Sequence, residues 1–295
     1  IDTPADTMAR LLRAMIKHDE GLAYSDWSSI EGRVAPWLSV SPSGEKKLDL
    51  YREGRDIYVV TAAAMFNVSE ESVDPTFRQS GKIAELSLQF GGSHNALIGM
   101  AKNYGVTFEE QEARDIVIMW RKANPWAEQI WADYDTAISM AVRNPGIDWP
   151  VGRVVYHSDG ANYLWCKLPS KRLLSYPKPL FETYETPWGE ERVGATFQTH
   201  FKPAAGEPPL RNHARGALLF QNTVQAVAAD CLREALLEAD DAGLGIVGHV
   251  HDEIIIQGSR DDGERLNNIM LERPWWSDGL PLATGGVQYG VRYGK

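Results

Sequence analysis

The segment Gly245-Ile-Val-Gly-His-Val-His251-Asp252-Glu253-Ile-Ile-Ile-Gln257 sets two short apolar runs on either side of two acids. Runs this short and this rich in β-branched residues read as strands, and the polar residues between them mark a reversal, so a hairpin with the acids at its turn is predicted. Another apolar segment, Leu-Ala-Tyr-Ser, ends in Asp26. Asp26 and Asp252 lie 226 positions apart, so only the fold brings them together. Taken singly, both are equally ordinary turn acids. Their shared position at strand ends, where reactive groups are displayed, favours a site. Crowded carboxylates raise one another's pKa unless a cation lies between them, and a pair of divalent ions is the usual partner when the substrate is a phosphate. The set Asp26, Asp252 and Glu253 therefore points to phosphoryl transfer.

The chain has 295 residues, 43% of them hydrophobic and 24% charged, enough to bury a large core in one or two lobes. Cys166 and Cys231 show no Cys-x-x-Cys spacing, which argues against a zinc ribbon or a disulfide framework and for a reducing, intracellular setting. Neither a basic start followed by an apolar stretch nor a membrane-length apolar run occurs, so a soluble chain without a targeting segment is expected. Starting at Ile1 suggests a piece of something longer. The formal net charge of -10 argues mildly against nucleic-acid binding, because affinity for phosphate backbones comes mostly from Lys and Arg. Local clusters, Lys167 to Arg172 and Arg211 to Arg215, offset that as a possible basic groove.

Along the chain, residues 5 to 18 read as an amphipathic helix, Gly21 to Ser25 as a strand, and Ser28 to Leu38 as a helix. From Leu48 to Ala141 the pattern is helical, broken at Asn67-Val68-Ser69, Asp74-Pro75, Gly91-Gly92, Gly105 and Asn124-Pro125. Between Asp148 and Pro209, β-like runs (153–157, 163–168, 172–176, 193–200) alternate with Pro and Gly. A long helix is expected over 213–239. Four blocks result: 1–40, a helical 41–147, a β-rich 148–210, and 211–295.

The helix opening at Asp74-Pro75 carries Arg78, Lys82, Leu86 and Phe90 at intervals of four, one stripe with two cations leading and two apolar groups following. A triphosphate against Arg78 and Lys82, with a base or sugar against Leu86 and Phe90, fits that order. For such a stripe in isolation, an amphipathic helix with a solvated basic end is the more common explanation.

Together these segments resemble the polymerase region of the DNA polymerase I family (family A), especially its phage-like members. Asp26-Trp27-Ser28-Ser29-Ile30-Glu31-Gly32-Arg33 is similar to the first palm motif, Arg78-x3-Lys82-x7-Phe90-Gly91 to the fingers-helix motif, and His251-Asp252-Glu253 to the last palm motif, in the family's order. The resemblance implies an α+β fold in which 1–40 and 211–295 form a palm, an antiparallel sheet with helices. Residues 41–147 would be mainly helical fingers and 148–210 a β-rich insertion. It implies template-directed addition of deoxynucleotides (dNTPs) to a primer on template DNA, without membrane association, in the cytoplasm of a bacterium or a phage-infected cell.

By the same resemblance, Asp26 and Asp252 hold two Mg2+ ions with the Trp27 carbonyl as a further ligand, and Glu253 assists. Arg78 and Lys82 bind the incoming phosphates, and Lys82 protonates the pyrophosphate leaving group. Tyr58 stands where relatives often have a phosphate-contacting histidine, and Glu31 resembles the gate that crowds a ribose 2′-hydroxyl. Gln225 and Asn222 on the long helix, with Arg215 and His251, fall to primer-template DNA. Leu86 and Phe90 replace the usual aromatic and Tyr, and Ser29 replaces Gln, so sugar discrimination does not carry over. Few residues precede Asp26, so the thumb and any exonuclease region are expected outside this chain. A single-subunit RNA polymerase and an inactive nucleic-acid-binding remnant are the competing readings.

Overall fold

The structure, a computed structural model, describes Met8 and residues 11–186, 189–199 and 209–294. In chain order its strands are β1 (Lys17–Asp26), β2 (Asp148–Val151), β3 (Val154–Ser158), β4 (Tyr163–Lys167), β5 (Leu173–Pro177), β6 (Leu180–Glu185), β7 (Glu191–Gln198), β8 (Arg211–His213), β9 (Gly245–Val250), β10 (Glu253–Gln257) and β11 (Gln288–Arg292). With the helices between them they make an α+β fold of two compact units, Ile1–Glu31 with Ala226–Lys295, and Gly32–Gln225.

The first unit is built on an antiparallel sheet of order β11-β1-β10-β9. Strand β10 is an almost unbroken apolar run with Ile254, Ile255 and Ile256 all buried, as expected of an inner strand covered on both faces. Helix Arg260–Leu271 covers one face: the Trp27 indole N–H donates to the Met270 carbonyl at 2.9 Å and Ser25 Oγ meets Asn267 Oδ1 at 3.1 Å. A Cβ at Gly263 would fall 2.8 Å from that of Ala23, so glycine sets how closely the helix approaches. On the other face Leu22, Tyr24, Ile255 and Tyr293 form one cluster.

Strand β1 begins at Lys17, earlier than its apolar pattern suggests, and the helix expected through residue 18 has ended by Ala14. The cause is tertiary: Lys17 pairs with Arg292, and Arg292 Nη1 donates to the Ala14 carbonyl at 2.7 Å, so a distant strand claims residues whose local pattern is helical. Part of that expected helix, and residues 200–208 of the expected β-rich block, lie outside the described residues.

In the second unit the expected punctuation is found. Asp74 caps helix Pro75–Leu88 by accepting from the Phe77 N–H at 2.8 Å, Asn67 closes Ile57–Phe66 with φ 52°, and Pro125 opens Pro125–Arg143. Four helices meet at one atom. Glu85 Oε1 accepts from Lys47 Nζ (2.8 Å), Thr61 Oγ1 (2.5 Å) and Trp120 Nε1 (3.1 Å), so one buried carboxylate joins Pro42–Arg52, Ile57–Phe66, Pro75–Leu88 and Glu110–Ala123.

The β-rich block divides into two sheets, β2-β3-β4-β5 and β6-β7-β8. The first packs on helix Pro125–Arg143 through Tyr134 and Tyr156, edge to face with centroids 5.5 Å apart. The long helix runs Gly216–Asp241 and not from His213, because His213 is taken into β8 opposite Thr196.

Candidate functional site

Within the first unit, the end of β1 and the β9–β10 turn are neighbours. Asp26 is registered opposite Glu253, and the Trp27 N–H donates to the Asp252 carbonyl at 3.4 Å. The sheet thus brings Asp26 and Asp252 to the same end from positions remote in sequence. Both are half-buried. Two residues, His251 and Asp252, turn the hairpin, and His251 takes φ 54°, the left-handed value that tight two-residue turns demand.

Glu253 behaves differently from its neighbour. It is the first residue of β10 and only 2% exposed, and its Oε1 accepts from the Tyr293 hydroxyl at 2.5 Å. The sequence reading puts both acids at the turn, whereas strand geometry turns the second one into the core.

A segment not singled out in the sequence crosses this end of the sheet. Ser28 N–H donates to the Ala283 carbonyl (2.8 Å), Trp27 bridges to Thr284, and Gly285 N–H donates to the Asp26 carbonyl (2.9 Å). Its backbone lies so close that a Cβ on Gly285 would stand 2.8 Å from Asp26 Oδ1. The signal available in the sequence was the pair Gly285-Gly286 beside Thr284, without any periodicity to interpret it.

The donors suit a hard cation. Asp26 and Asp252 carry carboxylate oxygens, and Trp27, its indole buried, lies between Asp26 and the helix Ile30–Ser39. No group of three or more His, Cys, Asp and Glu placed to hold a metal is present among the described residues. That argues against an all-protein cage and not against Mg2+ as used with phosphates, which takes one or two carboxylates and completes its shell with water and substrate oxygens. Glu31 sits half-buried in the first turn of Ile30–Ser39.

The second unit holds the other predicted residues. Helix Pro75–Leu88 buries Ser80, Gly81, Ile83, Ala84, Glu85 and Leu88, leaving Arg78 exposed and Lys82 and Leu86 half-buried on the remaining surface, with Phe90 half-buried just beyond the helix. Gly81 lets this helix press onto Ile57–Phe66, since a Cβ there would meet the Tyr58 carbonyl at 2.1 Å. That approach gathers Tyr58 with Arg78: the guanidinium lies 5.3 Å from the Tyr58 ring, and its Nε donates to Asp56 Oδ2 at 2.7 Å. Lys82 Nζ stands 5.4 Å from the Tyr104 ring. Asp56 and Tyr104 escaped the sequence reading, though Asp56 before an apolar run is a helix-cap signal, and it does cap Ile57–Phe66. Phe90 packs toward Phe220, centroids 6.3 Å apart. On the long helix Gln225 is exposed and Asn222 half-buried, and just before it Arg215 is exposed.

No family model matches the chain. It is 35% identical over 288 residues to a DNA polymerase of Bacillus phage SP02, covering 95% of this chain and 42% of the relative. To the thermostable DNA polymerase I of Thermus thermophilus it is 25% identical over 269 residues, covering 89% and 26%. The chain therefore spans less than half the length of these relatives. Among solved structures, the POL domain of Pol1 from M. smegmatis, in complex with DNA primer-template and dNTP, shares its fold with a TM-score of 0.60 at 20% identity, over 99% of this chain and 43% of that one. Among the described residues, no helix is long and apolar enough to cross a membrane.

Proposed function

The chain is a relative of the DNA polymerase I family through nearly its whole length, and on that premise we propose that it is the palm-and-fingers core of a DNA-templated DNA polymerase, adding dNTPs to a primer 3′-hydroxyl with release of pyrophosphate. The observation that carries this reading is the convergence of Asp26 and the Asp252 turn at one end of a single sheet.

The roles follow from the chemistry of each group. Asp26 and Asp252 bind Mg2+ with the Trp27 carbonyl. Bound there, two such ions supply charge neutralisation for the triphosphate and acidify the primer hydroxyl. Glu253 acts from behind, its bond to Tyr293 holding the start of β10 and so the orientation of Asp252. Arg78 donates to phosphate oxygens once it gives up Asp56, a pair exposed enough to exchange at small cost. Lys82 binds phosphate oxygens and delivers a proton to the departing pyrophosphate. Tyr58 backs the Arg78 guanidinium, Leu86 and Phe90 bear on the nucleotide, and Glu31 excludes a 2′-hydroxyl. Gln225 and Asn222 donate to minor-groove acceptors common to every correct pair, while His251 and Arg215 contact the strand backbone. In this reading residues 1–40 and 211–295 are the palm, 41–147 the fingers and 148–210 a β-rich insertion, and the setting is the cytoplasm of a bacterium or phage-infected cell.

Primer extension with Mg2+ tests the assignment. Asp26→Ala is expected to lower single-nucleotide addition by about 10³-fold, equivalent to roughly 4 kcal/mol of lost transition-state stabilisation, with dNTPs used in preference to NTPs. Extension by Asp26→Ala at the wild-type rate would remove the carboxylate assignment, and preference for NTPs would move the chain to RNA synthesis.

A further inference from the structure

Helix Ile30–Ser39, which carries Glu31 in its first turn, stops without the usual means. A helix commonly closes on a glycine in the left-handed region, with a basic side chain near its last carbonyls. Here the residue after the helix is Val40, at φ 50° and 61% exposed, and the last turn holds no basic residue. A β-branched residue in the left-handed region is strained, because its Cβ crowds the neighbouring backbone. Ser29, just before the helix, takes φ 53° as well. Both ends are set in conformations that their own residues disfavour, and such strain persists only where surrounding contacts enforce it.

At the C-terminal end those contacts come from the β-rich block. Val151 pairs with Val154, so Gly152 and Arg153 form a two-residue turn between β2 and β3. Arg153 Nε donates to the Trp37 carbonyl at 2.9 Å, and its backbone N–H donates to the Leu38 carbonyl at 3.2 Å. These are two of the four carbonyls that a helix end leaves without a partner of its own. A third, that of Pro36, accepts from Ser39 Oγ at 2.7 Å. The Arg153 guanidinium also lies 4.5 Å from the centroid of the buried Trp37 ring. Gly152, at φ 53°, permits this approach, since a Cβ there would stand 2.1 Å from the Leu38 carbonyl oxygen. A turn 116 residues away thus supplies the charge and the donors that the helix lacks in its own sequence.

We propose that Arg153 is a positioning residue for sugar selection: it holds Ile30–Ser39 by its last turn and so fixes where Glu31 stands. This rests on the reading of Glu31 as the group that excludes a 2′-hydroxyl, and it gives the β-rich block a part in the reaction. The helix is ten residues long, about 15 Å, and moves as one body. Without the guanidinium, Val40 relaxes out of the left-handed region, the last turn shifts, and the displacement is carried to the first. Exclusion of a single hydroxyl depends on placement within about 0.5 Å, so selectivity suffers first. Asp26 is fixed separately, by the pairing of β1 with β10, and keeps its place.

Steady-state addition of one nucleotide, with dNTP and with NTP, tests this. Arg153→Ala, at an exposed position, is expected to raise kcat/KM for NTP about tenfold while that for dNTP stays within about threefold of wild type, with thermal unfolding showing the variant folded. Val40→Gly, which takes φ 50° without steric cost, is expected to restore the wild-type NTP-to-dNTP ratio in the Arg153→Ala background. An unchanged ratio in Arg153→Ala overturns the inference, as does an equal loss for both nucleotides or a failure of Val40→Gly to restore the ratio. Glu31→Ala separates this inference from the reading beneath it. A raised ratio there with an unchanged one in Arg153→Ala removes the role of Arg153 alone, whereas an unchanged ratio in Glu31→Ala removes the gate and the role of Arg153 together.

Discussion

Replacing Gly285 by alanine tests how tightly the Asp26 carboxylate must be held. The added Cβ would stand 2.8 Å from Asp26 Oδ1, well inside the ordinary contact distance of about 3.5 Å, so something must move by roughly half an ångström or more. The backbone of Gly285 is not the part that yields. It is tied by its own N–H to the Asp26 carbonyl at 2.9 Å, by the Trp27–Thr284 bridge, and by Thr284 Oγ1 to Asn267 Oδ1 at 2.6 Å. The carboxylate gives instead, by rotating off its preferred torsion at a cost of about 1 kcal/mol. In stability that is small, a few degrees in Tm at most. In catalysis it is not, because reacting groups must be held within about 0.5 Å and a displacement of about 1 Å costs on the order of 10²-fold.

Gly285→Ala is therefore expected to lower single-turnover nucleotide addition by about 10- to 100-fold at saturating DNA and dNTP, with DNA affinity unchanged. Gly286→Ala supplies the control: its φ of 85° makes alanine strained, but a Cβ there meets nothing within 4 Å. That variant should lose about 1 kcal/mol of stability and keep its rate. A wild-type rate in Gly285→Ala, or an equal loss in Gly286→Ala, refutes the argument that Gly285 positions the carboxylate.

Two further outcomes follow from the second unit. Lys47→Met strands the buried Glu85 carboxylate, leaving it only Thr61 and Trp120, so denaturant unfolding should report a loss of about 3–5 kcal/mol that Lys47→Met with Glu85→Leu largely restores; a single-variant loss under about 1 kcal/mol contradicts it. Asp159, whose carboxylate accepts from the N–H groups of Tyr163, Ala161 and Asn162, has its pKa lowered to about 2, so its contribution is present above the unfolded value near pH 4 and fades as pH falls toward about 2. The Tm difference between wild type and Asp159→Asn should shrink across that window, and a difference constant from pH 5 to 2 rejects the assignment.

What could be read in advance depended on whether the determining interactions were local. Asp74-Pro75, Asn67 and Asn124-Pro125 act through their own backbones, a cap bond here or a fixed φ there, and the helices end where those residues say. The turn at His251-Asp252 was legible for the same reason. Strand β1 was underestimated because its first residues, Lys17-His18-Asp19-Glu20, have no apolar alternation and are strand only by virtue of β11, more than 260 residues away. Sheet division within 148–210 was similarly invisible, since each run reads as a strand whichever neighbour it takes.

Glu253 is the sharper case, because it stands beside a residue whose placement was foreseen. Adjacent acids look equivalent in one dimension, and a two-residue turn separates them: the second turn residue, Asp252, is held half-buried at the sheet end, while the next residue enters a strand and must choose a face. Its face is that of Tyr24 and Ile255, where Tyr293 supplies a hydroxyl to a carboxylate that burial would otherwise make costly. Tyr293 comes from the far end of the chain, so neither the choice nor its compensation is written near position 253. The same holds for Gly285, whose importance comes from lying against Asp26 across the sheet. The residues proposed for the chemistry were singled out by type and spacing. Those that hold them in place are defined by contacts across the sheet, and only the three-dimensional structure identifies them.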